Sequence, residues 1–196
     1  MKVFYCHPTT ILIGLLCLLS TCWSSTCMAK PSKIKTNITN GIVNWVYDGD
    51  TLQISGIGVV RLIGIDCPEK MGSDRDWKFL KMGCKDHNTL RASTKNTIKR
   101  VIKLCKGKMV QLQCGGDKKD HYGRMLAYVW LPDGRMLNRT LLREGRAIVY
   151  RRFNFKYKKD FLQLEQQARK QRLGIWHQLN KKALKKQVDY SAPPNK

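Results

Sequence analysis

The sequence predicts a mainly β (α+β) domain, built as a small barrel of short strands with helices packed against it. Five short β-rich segments are joined mostly by turns, and helical patterns are interspersed irregularly in the order βββ-α-ββ-α-α. The chain has 196 residues, which suits one domain, and its 42% hydrophobic content supports a real core. That content argues against general disorder.

The first three strands are predicted between residues 41 and 65. Residues 41–54 form a predicted hairpin, because the Asp48-Gly49 pair between two β-rich runs is a strong turn signal. The third strand is predicted for residues 59–65 and ends before Pro68, since proline cannot continue a central ladder. Residues 69–86 are irregular and of mixed charge, which predicts a mobile surface loop.

The longest helix is predicted for residues 88–105, where apolar or small residues recur at spacings of three and four. Its inward-facing residues are predicted to be Leu90, Thr94, Ile98, Val101, Ile102 and Cys105. Strands four and five follow at residues 109–114 and 125–130, and the second follows the first through a glycine turn. These segments complete the five strands of the predicted barrel.

Two further helices are predicted near the C-terminal end of the domain. The first, at residues 137–144, stops at Gly145, and the second spans about residues 158–173 and stops at Gly174. Phe161 is among the predicted inward-facing residues of the second helix. The two helices supply the remaining cover for the barrel.

The N-terminal residues 1–29 are predicted to be a secretory signal peptide. Lys2 precedes a short apolar stretch at residues 11–19, and small residues stand at Cys27 and Ala29 as a signal peptidase requires. A buried N-terminal helix and a lipid anchor on Cys22 are the alternatives. Export predicts a secreted or periplasmic protein.

Charge and hydropathy predict how the rest of the chain is organised and which class of partner it binds. Residues 30–40 are predicted to be a flexible lead-in, residues 41–177 the folded domain, and residues 178–196 a basic, disordered tail. No apolar run reaches the roughly 20 residues of a membrane-spanning helix, so no transmembrane span is predicted. With 37 Lys+Arg against 14 Asp+Glu, the net charge of +23 predicts a polyanionic partner, either nucleic acid or an anionic membrane.

Eight cysteines are present, and four of them precede the predicted cleavage site. Export permits disulfides among the remaining Cys67, Cys84, Cys105 and Cys114, and their pairing stays open. No C-x-x-C motif is present, so a zinc site is not predicted.

Acidic residues are concentrated in one short segment. Asp48, Asp50, Asp66 and Glu69 fall within 22 residues, where an even distribution would place about 1.6 acids. The end of the hairpin and the end of strand three lie close together in such a fold, so these carboxylates are able to converge on one hard cation. Turn formation explains Asp48 but explains Asp50 less well, because the next strand has already begun.

Two arginines are candidate partners for an anionic group. Arg61 lies in the middle of an apolar strand, where an arginine is costly unless it is paired with a carboxylate or a phosphate. Arg124 opens strand five from a glycine turn, and an ordinary surface arginine is the alternative interpretation there.

Three motifs in order resemble the signature blocks of the thermonuclease (staphylococcal-nuclease-like) family. They are VYDGDT at residues 46–51, RLIGIDCPE at residues 61–69 and DHYGRMLAY at residues 120–128. The resemblance extends over about residues 41–176, and three blocks in order are far more specific than any single motif. It implies an OB-fold, five-stranded barrel with three helices, and a calcium-dependent phosphodiesterase acting on DNA and RNA.

The resemblance also implies roles for individual residues. Asp50 and Asp66 match the calcium carboxylates, and Cys67, where the family often has threonine, matches a residue that binds calcium through its backbone carbonyl. Glu69 matches the general base or water-positioning glutamate. Because a backbone carbonyl is the ligand, the change to Cys67 keeps the metal site.

The remaining implied roles concern the substrate. Arg61 and Arg124 match the two catalytic arginines, and Tyr122 matches a tyrosine beside the nucleotide phosphate. His121 replaces a more usual Lys or Arg, which weakens a phosphate contact or makes it pH-dependent. A second nucleotide-stacking tyrosine falls near Tyr150, in a register that the sequence leaves open.

The function predicted from these residues is a calcium-dependent endonuclease with a preference for single-stranded DNA, activity on RNA and little sequence specificity. We expect a monomer without a stable protein partner. One alternative is a catalytically silent OB-fold protein that binds nucleic acid. Another is a cationic protein of surfaces or membranes that works through the lysine-rich residues 181–186, although that interpretation leaves the acidic cluster unexplained.

Overall fold

Five strands close into a barrel in the computed structural model, which describes residues 38–177. The strands are β1 (Ile38–Val46), β2 (Thr51–Ile54), β3 (Gly58–Leu62), β4 (Ile65–Asp66), β5 (Met109–Lys119), β6 (Met125–Trp130) and β7 (Ile148–Val149). The helices are α1 (Trp77–Lys81), α2 (His87–Cys105), α3 (Leu137–Arg143) and α4 (Lys158–Lys170), with 3₁₀ turns at Asp74–Asp76 and Gly174–Trp176.

The barrel strands follow the order β1-β2-β3-β6-β5, and β5 pairs with β1 to close it. All neighbouring strands are antiparallel except β3 and β6, which are parallel. Inward-facing apolar side chains such as Leu52, Leu62 and Leu112 fill the interior. The predicted mixed α+β barrel is confirmed, and α1 is a fourth helix that the sequence did not predict.

The predicted hairpin is present as β1 and β2, with the Asp48-Gly49 turn between them. Strand β1 begins at Ile38, inside the segment predicted as a lead-in, because Ile38 pairs with Gln113 of β5. Backbone pairing to a distant strand therefore orders residues that look like a polar linker in the sequence.

The predicted third strand is divided, which corrects the sequence prediction of one run over residues 59–65. Gly64 has a φ of +77° and breaks the strand after β3, and a Cβ at this position would lie 2.5 Å from the Phe155 ring. The chain then re-enters a small sheet as β4, which pairs with β7 outside the barrel. Because the strand breaks here, the chain changes direction and Asp66 lies close to Asp50.

The segment predicted as a mobile loop over residues 69–86 is folded onto the protein, and that prediction is wrong. It contains α1, whose Phe79 is completely buried. Phe79 belongs to a second core cluster together with Cys84, Leu90, Ile148, Ala168, Ile175 and Trp176. The buried Phe79 anchors the segment, although the surrounding charges and glycines suggest a loop.

Helix α2 begins where Asp86 accepts a hydrogen bond from the Thr89 N–H at 2.7 Å, a side-chain cap of the first turn. Its buried residues are Leu90, Thr94, Thr97, Val101, Leu104 and Cys105. Ile102 was predicted to face inward but is exposed, because the inner face is rotated toward Thr97 and Leu104.

Buried polar side chains join the C-terminal helices to the barrel. The Asn138 side chain of α3 accepts from the Val129 N–H at 3.1 Å and donates to the Ile63 carbonyl at 2.9 Å. Glu165 of α4 accepts from the Val149 N–H at 2.8 Å and pairs with Arg151. Helix α4 ends at Lys170, three residues earlier than predicted.

The four cysteines of the described residues are free thiols, and Cys67, Cys84 and Cys105 are buried. Within residues 38–177, no helix is long and apolar enough to cross a membrane. The predicted signal peptide, most of the predicted lead-in and the predicted basic tail lie outside the described residues.

Candidate active site

Arg61 lies between two buried carboxylates at the end of the barrel. Its guanidinium forms ion pairs with Asp50 through Nη1 and with Asp66 through Nη2, the latter at 2.9 Å. Asp50 and Asp66 are only 4% and 3% exposed, and the Arg61 side chain is 14% exposed. Strand β3 thus places one guanidinium against both carboxylates that the sequence selected.

The backbone around Asp50 fixes its carboxylate. The Cys67 N–H donates to Asp50 Oδ2 at 2.6 Å, and the Asp50 N–H donates to Asp48 Oδ1 at 2.9 Å. Gly49 is required by close packing, because a Cβ there would lie 2.7 Å from Cys67 and 2.8 Å from Thr97. The Asp-Gly-Asp turn is therefore held directly against the segment that carries Asp66 and Cys67.

Lys78 is a site residue that the sequence analysis missed. Its ammonium on α1 contacts Asp66 Oδ2, so both oxygens of Asp66 are paired with cations. Burial and the nearby charge of Arg61 lower the pKa of Lys78 to about 8. Lys78 reaches Asp66 because it lies on helix α1, which the sequence did not predict. No local pattern in the sequence identifies Lys78 as a site residue.

Glu69 lies at the rim of the carboxylate cluster. It lines a pocket of about 310 Å³ together with Tyr47, Asp48 and residues 70–73. Its side chain is 35% exposed and forms an ion pair with Arg75 at 3.2 Å. Glu69 does not contact Arg61 or Asp66 directly within the described residues, but it shares the pocket with Asp48.

Helix α2 holds the backbone that carries Glu69. The Thr94 hydroxyl lies 3.1 Å from the Glu69 carbonyl, and the Arg91 guanidinium contacts the carbonyls of Glu69 and Met71. Arg91 also contacts both oxygens of the buried Asp76, at 2.6 Å and 2.7 Å. Arg91 and Thr94 are positioning residues for the Glu69 loop that the sequence analysis did not identify.

The cluster carries an excess of negative charge. Burial and the neighbouring Asp50 raise the pKa of Asp48 to about 7. Burial acts to lower the pKa of Arg61, but the charge of Asp50 outweighs it and holds this pKa above its usual value. Burial and Asp50 raise the pKa of the Cys67 thiol well above its usual value, so the sulfur is neutral and is not a thiolate ligand.

Arg124 belongs to a second group of side chains, together with Asp120, His121 and Tyr122. Its Nε donates to Asp120 Oδ2 at 2.8 Å, and its guanidinium carbon lies 5.1 Å from the centre of the Tyr122 ring. Burial acts to raise the pKa of Asp120, but hydrogen bonds from Arg124 lower it overall. Tyr122 is 63% exposed, and its ring centre is 3.8 Å from that of His121.

The strand register relates this second group to Arg61. Arg61 of β3 pairs with Leu126 of the parallel strand β6, and Arg124 precedes Leu126 by two residues. Arg124 itself lies just before β6, which begins at Met125, so the register places its backbone beside the start of β3. No direct contact joins Arg124 to Asp50, Asp66 or Glu69 within residues 38–177.

Tyr150 lies beside the turn that follows β3. Its N–H donates to the Gly64 carbonyl at 2.9 Å, and its ring centre is 5.7 Å from that of Phe153. Phe153 is 66% exposed. The structure therefore places two aromatic rings near the β4–β7 sheet that carries Asp66, and Phe153 is the more exposed of the two.

The donor set at this site is compatible with a hard cation. Asp50 and Asp66 would contribute carboxylate oxygens, and Cys67, expected from the sequence to bind through its backbone carbonyl, would add a third oxygen; donors of this kind suit calcium. Asp48, whose Oδ1 accepts from the Asp50 N–H, adds a further carboxylate beside this donor set. Among the described residues, no three His, Cys, Asp or Glu side chains are arranged as a metal-binding group, so water would complete the coordination.

Comparison with known proteins identifies a family. The staphylococcal nuclease homologue family model matches residues 59–178, more than half of the chain. The match includes Arg61, Asp66, Glu69 and Arg124, and Asp50 precedes it.

Individual relatives agree with this match. The chain is 36% identical over 140 residues to a thermonuclease of Staphylococcus intermedius, which covers 69% of this chain and 74% of that protein. It is 32% identical over 151 residues to the endonuclease YncB of Bacillus subtilis (strain 168), covering 74% and 65% of the two chains. The SPbeta prophage-derived endonuclease YokF of the same organism is 33% identical over 135 residues, with 66% of this chain but only 41% of YokF covered.

Proposed function

The chain belongs to the staphylococcal nuclease homologue family, and from this premise we propose that it is a calcium-dependent endonuclease. Its substrates would be DNA, with single strands preferred, and RNA, cleaved with little sequence specificity by a monomer. The observation that carries the proposal is the half-buried Arg61 held between the buried Asp50 and Asp66, beside the pocket of Glu69.

The substrate class is supported by charge. A net charge of +23 favours a polyanion, and the relatives named above are a thermonuclease and endonucleases. The exposed rings of Tyr122 and Phe153 offer faces on which unpaired bases stack, which supports a preference for single strands.

The two arginines suit the transition state of phosphodiester hydrolysis. Negative charge accumulates on the equatorial oxygens of the phosphorus, and a guanidinium donates two parallel hydrogen bonds to such oxygens. Arg61 lies on β3 and Arg124 lies just before the neighbouring parallel strand β6, and we infer that both side chains approach one phosphate. Glu69 is the carboxylate that would accept a proton from the attacking water or orient that water.

Calcium would be held by Asp50, Asp66 and the backbone carbonyl of Cys67. When bound, calcium supplies a Lewis acid that neutralises charge on the phosphate and orients water. The chain keeps Asp50 in place through the Cys67 N–H, and burial keeps the Cys67 thiol neutral.

The function is tested by cleavage of circular single-stranded DNA by the purified full chain. We expect linear products, which only an endonuclease generates, and a loss of at least about 10²-fold in rate when calcium is chelated. Restoration by calcium but not by magnesium supports the assigned metal. Full activity in excess chelator would contradict the metal, and DNA binding without any cleavage would favour a silent binding protein.

Lys78 supports a second expectation about the metal. Its ammonium contacts Asp66 Oδ2, an oxygen that a bound calcium would need. We therefore expect Lys78→Met to bind calcium about tenfold more tightly, since a competing cation is removed. Isothermal titration of calcium into Lys78→Met, with Lys81→Met on the same helix as the control, measures this. If Lys78→Met binds calcium with unchanged affinity, the Lys78 ammonium leaves Asp66 without a cost in free energy when calcium binds.

We further propose that the protein is exported with loss of residues 1–29. The support is the short apolar stretch after Lys2 that ends in small residues. Intact mass of the protein from the extracytoplasmic fraction should correspond to a chain that begins at Lys30. Full-length protein confined to the cytoplasm would contradict export, and a lipid adduct on Cys22 would indicate an anchor instead.

A further inference from the structure

A basic groove of about 640 Å³ lies along the exposed face of α2. Its walls are that helix, Arg146 after α3, and the segment of Gly174 and His177. The face of α2 that lines the groove carries Thr89, Ala92, Ser93, Asn96, Lys99, Arg100 and Lys103. None of the groove residues is part of the candidate active site.

The geometry of α2 separates the groove from that site. Thr94 and Arg91 contact the Glu69 loop, and Thr97 packs against Gly49. Lys99 and Lys103 lie four residues apart on the opposite side of the helix and are both exposed. One helix therefore positions the active-site loop with one face and lines a cationic groove with the other.

The arginines of the groove are fixed by a single carboxylate. Glu144 accepts from Arg100 Nη2 at 2.6 Å and from Arg146 Nε at 2.6 Å, and all three side chains are partly exposed. Four cations and one carboxylate leave a net charge of +3 on the groove. Within the described residues, the ammonium groups of Lys99 and Lys103 have no ion-pair or hydrogen-bond partner.

The opposite wall is also held in place. The Ile175 N–H donates to the Gly145 carbonyl at 2.9 Å, which ties the 3₁₀ turn to the end of α3. Gly145 and Gly174 pack too closely for a Cβ at either position. The groove is therefore a preformed feature between fixed elements.

We propose that this groove is a second nucleic-acid site, which binds the phosphodiester backbone of a strand whose cleaved bond lies in the active site. Lysine and arginine side chains contact phosphates, and the hydroxyl and amide groups of Ser93 and Asn96 suit phosphate or sugar oxygens. Among the described residues that line the groove, none is Phe, Trp or Tyr, and the contacts expected there are to phosphates and sugars, so we expect binding to be independent of sequence. The inference rests on the proposed function for the identity of the polymer.

The test is binding of fluorescein-labelled oligothymidylate of about 30 nucleotides to the full chain in excess chelator, followed by anisotropy at several salt concentrations. We expect the Lys99→Glu/Lys103→Glu variant to bind about tenfold more weakly or worse, since two phosphate contacts are lost. The slope of log affinity against log salt should fall by about 1.4, at about 0.7 for each contact with a single strand. Cleavage of a dinucleotide, whose single phosphodiester must lie in the active site and leaves none for the groove, should stay unchanged.

The matched control is Lys159→Glu/Lys170→Glu, which makes the same charge change at exposed positions of α4 outside the groove. We expect it to retain at least a third of the native affinity. Equal losses for both variants would overturn the proposal, because general charge would then explain the binding. So would a parallel loss of dinucleotide cleavage, which would make the groove part of the active site.

Two further measurements distinguish a nucleic-acid site from a folding defect and from a membrane site. If the charge-reversal variant does not fold, Lys99→Gln/Lys103→Gln replaces it, with about half of the expected change in affinity on a logarithmic scale. Loss of binding to phosphatidylserine vesicles with unchanged DNA affinity would overturn the proposal in favour of a membrane site. Binding is measured without turnover. The experiment therefore tests whether the groove binds nucleic acid even if the protein has no nuclease activity.

Discussion

Arg61→Lys is expected to lower kcat for single-stranded DNA by about 10³-fold while the Kd for the same DNA changes by less than about threefold. Removing one preorganised donor from a transition state commonly costs about 10²–10³ in rate. Arg61 stands at the upper end of that range, because its guanidinium also pairs with Asp50 and Asp66. Ground-state binding depends on many phosphate contacts across a chain of charge +23, so one residue contributes little to it.

Lysine is a poor substitute at this position for a geometric reason. Arg61 uses Nη1 for Asp50 and Nη2 for Asp66, two directions that a planar guanidinium serves at once. A single ammonium keeps the charge but cannot donate to both carboxylates and also give two parallel hydrogen bonds to a phosphate. We therefore expect the variant to fold, because the buried carboxylates keep a cation, and to lose turnover.

The control for this variant is Arg135→Lys, the same change at an ion-paired arginine in an exposed turn. It should leave kcat within about twofold, since surface ion pairs contribute only about 0–1 kcal/mol to stability. Thermal unfolding of both variants shows whether they remain folded. If DNA affinity falls as far as the rate for Arg61→Lys, Arg61 binds the substrate rather than stabilising the transition state.

Much of the barrel could be predicted from the sequence, because local patterns determine these elements. The Asp48-Gly49 turn and alternating apolar residues specify the first hairpin, and residues 125–130 coincide with β6. The long helix was predicted to within one residue of α2 because apolar or small residues recur at spacings of three and four.

The elements that were missed depend on contacts between distant residues. β7 has only two residues and exists because Ile65 and Asp66 pair with it. α1 is a single short helix held by the buried Phe79 in a core shared with residues far along the chain. Neither signal is visible in a window of local sequence.

In the candidate site, too, some residues are identified by local sequence and others only by contacts between distant residues. Asp50, Arg61 and Asp66 were selected by an uneven distribution of acids and by a charge in an apolar strand, and the structure brings all three into contact. In the sequence, Lys78 falls in a segment predicted to be a loop, Arg91 is one of many basic residues, and Thr94 is predicted only as an inward-facing residue of the long helix. Their contacts with Asp66 and the Glu69 loop arise only from tertiary packing.

Glu69→Gln is the second large effect, with an expected loss of about 10³-fold in kcat. A general base contributes typically about 10²–10⁴, and glutamine keeps the shape of the side chain while removing its ability to accept a proton. Within the described part of the chain, the one ion pair of Glu69 is with the exposed Arg75, so the substitution should cost little stability. The rate is measured in single-turnover cleavage of single-stranded DNA at saturating calcium.

Arg75→Met separates the carboxylate from its ion pair. This variant removes the partner at 3.2 Å but leaves the Glu69 carboxylate in its pocket and its backbone held by Arg91 and Thr94. If Glu69 acts on water through its carboxylate, Arg75→Met keeps kcat within about threefold while Glu69→Gln loses about 10³. Equal losses in the two variants would instead mean that the ion pair, by shaping the loop, is what turnover requires, and the assignment of Glu69 as a catalytic group would be wrong.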